Sequence, residues 1–168
     1  MRKLALLLSI VFATTWFFWP RVYEATATPQ GDLHITISIW PMQGIHSDWN
    51  RKVSVVYNGE RISKDLFGDT GWWRGSNLYR HISGSYVVHE GQGWCFGFTL
   101  KPLEFDRTLE ESCVKSQSAK STLDGQSLYS RDLIYLGHFY KTWRDEDGVR
   151  IRYSEANRTP EVELRDGP

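Results

Sequence analysis

The amino-acid sequence predicts a mainly β protein, a single antiparallel β-sandwich or partly open barrel built as a meander of about eight strands. At most one short helix is expected within it, and an N-terminal apolar helix precedes it. Three observations carry this prediction. Residues 33–40 alternate in character over a full strand length, with Leu33, Ile35, Ile37 and Ile39 on one face and His34, Thr36 and Ser38 on the other. Short runs of strand-forming residues recur between glycine turns, and Asn58-Gly59 and Asp147-Gly148 both suit two-residue hairpins. Aromatic residues make up 14% of the chain, with eight each of Trp, Tyr and Phe, and they favour strands where helical periodicity is weak.

The chain opens on Arg2 and Lys3, followed by sixteen uncharged residues from Leu4 to Trp19. A basic start ahead of an apolar run marks a secretory signal or a membrane anchor, with the N-terminus in the cytoplasm. Sixteen helical residues rise about 24 Å against a hydrocarbon core of about 30 Å, so the run is short for a span. Small residues at Ala25 and Ala27 offer a cleavage site after Ala27, eight residues beyond Trp19. The cluster Trp16-Phe17-Phe18-Trp19 favours an anchor left in place, because amphipathic rings gather at membrane interfaces.

Residues 1–20 are therefore read as signal or membrane anchor. Residues 21–32, rich in Ala and Thr with Pro29, Gln30 and Gly31, read as a tether. Residues 33–153 form the β-rich extracytoplasmic domain, and the charged residues 154–168 read as a frayed tail. The expected location is membrane-anchored with the domain outside the cytoplasm, periplasmic or at the cell surface, or secreted if the chain is cleaved after Ala27.

Within the domain, 33–40 is the first strand, and Pro41 ends its ladder. Residues 53–57 and 60–64 form a hairpin about Asn58-Gly59, whose residue types tolerate the two positive φ angles of a type I′ turn. Further strands are expected at 78–82, 86–89, 94–100, 133–142 and 149–153, separated by glycine turns. Residues 102–114 are the one candidate helix, with Leu103, Leu109 and Val114 as sparse apolar positions, and the polar stretch 116–125 reads as a surface loop.

About 148 residues follow the apolar segment, enough for one domain with its own core. With 20 basic and 20 acidic residues in all, and two basic ones in the segment, the exported part carries a net charge of −2. That balance gives no basic face for nucleic acid. Cys95 and Cys113 form an even pair in an oxidising compartment and read as a disulfide enclosing 17 residues. The competing reading makes Cys95 a nucleophile with His89 as its base, but HEGQGWCF matches no cysteine-protease signature.

Five histidines, His34, His46, His81, His89 and His138, lack the spacing of a metal site, and the sequence implies no metal and no cofactor. Neither a nucleophile elbow nor a phosphate loop occurs, so no catalytic residue is assigned and the protein is not read as an enzyme. The segment 68–77 is the candidate binding site. Trp72, Trp73 and Arg74 are the residue types that anchor interfaces, and Asp69 and Asn77 add polar groups beside three glycines. A protein or a surface polymer would fit it, while the bland alternative turns one indole into the core.

These features point to a non-enzymatic binding or interaction module of the cell envelope, with the membrane met through residues 4–19. A small extracytoplasmic hydrolase using loop carboxylates or histidines, and a structural subunit of an envelope complex, are the competing expectations.

Overall fold

The computed structural model describes residues 21–42, 48–69, 73, 75–91, 94–109, 132–142, 150–159 and 161. The apolar segment 1–20 lies outside them; among the described residues no helix is long and apolar enough to cross a membrane. Among the described residues ten strands are formed: β1 (Tyr23–Gln30), β2 (Leu33–Pro41), β3 (Trp49–Tyr57), β4 (Glu60–Asp69), β5 (Ser76–His81), β6 (Tyr86–Gly91), β7 (Trp94–Leu100), β8 (Leu103–Asp106), β9 (Leu133–Lys141) and β10 (Ile151–Glu155). All pairings are antiparallel. A four-stranded sheet runs β1-β2-β3-β4, and a six-stranded sheet runs β10-β9-β5-β6-β7-β8.

The two sheets face each other across one core. Period-2 alternation supplies it: Leu33, Ile35, Ile37 and Ile39 of β2 and Val53 and Val55 of β3 meet Leu78, Tyr86, Val88, Phe96, Phe98 and Phe139 from the second sheet. Each of these aliphatic side chains contributes about 1.5–3 kcal/mol by leaving water. The sheets also touch along both edges, β1 against β10 and β4 against β8.

The hairpin at Asn58-Gly59 is as its sequence predicts, with φ of 49° and 83° at the two turn residues. Its strands are longer than the apolar run suggested, because ladder pairing carries on to Trp49 and Asp69.

Several expectations are corrected. Residues 23–30, read as a tether, form β1 in full register with β2 from Tyr23↔Ile39 to Ala27↔Ile35. Ala25 and Ala27 face the core at 8% and 0% exposure, while Glu24 accepts a hydrogen bond from Ser38 (2.8 Å) and Thr26 pairs with Thr36 (2.8 Å). Alanine is a weak hydrophobic signal, so the alternation was present without being conspicuous.

The meander also fails after β8. β9 returns to pair with β5, beyond three intervening strands, through residues 107–132. Strands lie about 4.8 Å apart, so β8 and β9, four spacings apart in the sheet, are separated by about 19 Å. The one short helix expected at 102–114 is present in part: residues 103–106 form β8 instead, residues 107–109 are helical, and residues 110–131 are outside the described set. The tail is not frayed throughout, since β10 reaches Glu155 and the Tyr79 hydroxyl donates to Glu161 (2.6 Å).

A second, smaller cluster lies on the outer face of the six-stranded sheet, made by Tyr79, Val87, Cys95, Leu109 and Leu133. A bulge in β9 sets the faces: Gly137, at φ 145°, sits where a Cβ would overlap the Ser154 carbonyl oxygen, so only glycine allows the close approach of β10.

Candidate functional site

The strand directions put nine strand ends on one rim: the starts of β1, β3, β5, β7 and β10 and the ends of β2, β4, β6 and β9. The candidate segment 68–77 joins β4 to β5 at this rim. The structure divides it. Gly68 and Asp69 belong to β4, whose last residue pairs with Trp49, and Ser76 and Asn77 belong to β5. Trp72 and Arg74 lie outside the described residues.

Trp73 is turned into the core at 5% exposure, whereas Asn77, fully buried, lies on the opposite face of the six-stranded sheet by strand alternation. Trp73 and Asn77 therefore do not share one solvent-facing surface.

Trp73 belongs instead to a closed polar network that the sequence reading missed. Its indole N–H donates to Ser76 Oγ (3.1 Å), and the Ser76 hydroxyl donates to Glu90 Oε1 (3.4 Å). The Arg51 guanidinium donates to the same carboxylate oxygen (3.2 Å) and lies 4.9 Å from the centre of the Trp73 ring. Arg51 and Glu90 are 3% and 4% exposed. Burial raises the Glu90 carboxyl above its ordinary range, opposed by Arg51, the Ser76 hydrogen bond and Lys64.

The signal for this network was parity. Arg51 shares its face with Val53 and Val55, and Glu90 shares its face with Tyr86 and Val88. A charge at an inward position of a strand needs a partner across the core. Replacing Trp73 with phenylalanine removes the Ser76 donor and weakens the cation–π contact; a loss of about 1–2 kcal/mol is expected, read as a fall of several degrees in Tm.

On the outer face, register places His138, Asn77, His89 and Cys95 side by side on β9, β5, β6 and β7. All four are buried, and the thiol-and-base pair considered from sequence is thus a cross-strand pair. No cysteine is free among the described residues, which removes the nucleophile reading from Cys95; Cys113 lies outside them. His89 and His138 stand two strands apart, about 10 Å, with Asn77 between them, too far to share a metal ion. Among the described residues no group of three ligand-type side chains could hold one.

His138 Nδ1 has no hydrogen-bond partner, its ring stacks on Tyr140 at 5.1 Å, and burial lowers its pKa from 6.5. A base whose folded pKa is depressed takes up its proton more readily when unfolded. Its share of stability is complete above about pH 6.5 and is lost as pH falls. Denaturant midpoints between pH 7 and 5 are expected to fall less steeply in His138→Phe than in the wild type.

At the end opposite the rim, an open cleft of about 290 Å³ separates the β3–β4 and β7–β8 turns, lined by Tyr57, Asn58, Glu60, Leu100 and Lys101 among others. No family model, curated protein or solved structure matches the chain.

Proposed function

We propose that the chain is a membrane-tethered module of the cell envelope, held by residues 4–19, with its β domain outside the cytoplasm as a non-enzymatic binding or interaction element. The position of β1 is the observation that carries the tether. Cleavage after Ala27 would remove five of the eight residues of β1 and uncover the ladder edge of Ile35, Ile37 and Ile39. A segment whose cleavage site lies inside the core is better kept than cut. The domain is read as a flattened, partly open barrel, since both pairs of sheet edges meet.

A disulfide between Cys95 and Cys113 accompanies this reading. Cys95 and Leu109 share one cluster, so the chain sets out towards Cys113 from the neighbourhood of Cys95, and a bridge there would add about 3 kcal/mol for a loop of this length. Thiol titration of the unreduced, denatured chain is expected to find no reactive thiol, and two would remove the bridge. The partner, a protein or a surface polymer, would have access to the cleft at the end away from the membrane.

N-terminal sequencing and intact mass of the chain recovered from cells test the tether. Retention of residues 1–27 in the membrane fraction is the expected result. A soluble chain beginning at Thr28 would overturn it.

A further inference from the structure

The tether fixes which end of the domain meets the membrane, and that end is where the tryptophans are. We propose that the rim at which β1 begins rests on the bilayer surface, with Trp40 and Trp49 at headgroup level, so that the domain stands on the lipid rather than hanging from a leash. This rests on the tether reading.

The first support is length. Only Pro20, Arg21 and Val22 separate Trp19 from the first residue of β1. Three extended residues span at most about 11 Å. The headgroup zone of one leaflet is about 5–8 Å thick, so a segment ending at the hydrocarbon boundary leaves the rim within or just above that zone.

The second support is composition. Trp40 lies at the end of β2, Trp49 at the start of β3, and Trp94 opens β7, all on this rim; Trp73, beside the start of β5, is turned into the core and takes no part. The turns at the other end, Gly31-Asp32, Asn58-Gly59, Ser83-Gly84 and Lys101-Pro102, contain no tryptophan, and Ile82 and Ile134 exposed towards that end are aliphatic.

Indoles prefer the interface because an apolar ring and a polar N–H are satisfied together there. The rim has the accompanying chemistry. Trp49 and Tyr23 meet edge to face at 5.8 Å, Lys141 places its ammonium 5.5 Å from the Trp49 ring centre, and Val22 is 53% exposed next to exposed Arg21. Long cationic side chains beside aromatic rings can keep their charge among phosphates while their stems lie on apolar surface.

The test uses the full chain carrying Trp16→Phe and Trp19→Phe, reconstituted in phosphatidylcholine vesicles with and without bromine on the upper acyl carbons. Flotation with the vesicles reports the tether, and tryptophan quenching reports the rim. Flotation with loss of roughly a third or more of the emission is expected, and adding Trp40→Phe and Trp49→Phe should reduce that quenched fraction. Flotation without quenching overturns the seated rim and leaves the tether intact. Failure to float overturns both.

Discussion

Replacement of Glu90 by alanine is expected to cost about 3–5 kcal/mol of folding stability, a large part of what a domain of this size possesses. Glu90 accepts from Arg51 and from Ser76 inside the core, and both charged residues are nearly inaccessible to water. Removing the carboxylate takes from the buried guanidinium its ion-pair partner, so the desolvation of that charge is less well compensated. Urea unfolding should show the loss as a lower midpoint at unchanged slope.

The double variant Arg51→Met with Glu90→Leu should recover most of the loss, because an apolar pair of similar volume carries no desolvation cost. An alanine variant unfolding at the wild-type midpoint would mean that the pair is hydrated.

The pH dependence gives an independent check. Desolvation raises the Glu90 carboxyl above its unfolded value, so the folded state binds that proton more tightly. Between the ordinary carboxylate range and the raised value, this group lowers stability as pH increases. Glu90→Gln is expected to remove that component, so the difference between the two proteins should change with pH across that interval and level off above it.

A chain beginning at Thr28 is expected not to fold cooperatively, whereas a chain beginning at Arg21 should show one sharp thermal transition by circular dichroism. The shorter chain lacks the residues that pair with Ile35 through Ile39, together with the buried Ala25 and Ala27 and the Tyr23 ring against Trp49. It leaves an unpaired apolar edge on β2, which is prone to aggregate. Equal melting of the two chains would show that β1 is dispensable and would reopen cleavage after Ala27.

Much of the strand content was legible because it was local. β2 announces itself through four isoleucine or leucine residues at alternate positions, and Asn58-Gly59 through the φ angles it tolerates. β1 was obscured by its composition: Ala25 and Ala27 keep the alternation but carry little hydrophobic weight, and their burial is decided by β2 beside them. The helix expected at 102–114 starts later, at residue 107, because residues 103–106 pair with β7 as β8. The candidate site 68–77 was chosen by residue type. Residue type marks which side chains can anchor an interface without saying which way they turn, and Trp73 turns inward.

By itself the sequence determined a mainly β chain, the hairpin turn at Asn58-Gly59, and a charge balance that offers nucleic acid no basic face; the turn expected at Asp147-Gly148 lies outside the described residues. Turn geometry, alternation and net charge depend on neighbours in the chain, so they can be read without a fold. Only the tertiary structure decided that Arg51 faces Glu90, that β9 returns to β5, and that the rim where β1 starts gathers Trp40, Trp49 and the first residue of β7. Those facts join residues tens of positions apart. They arise because two sheets must bury their apolar faces against each other, a condition that no single stretch of the chain expresses.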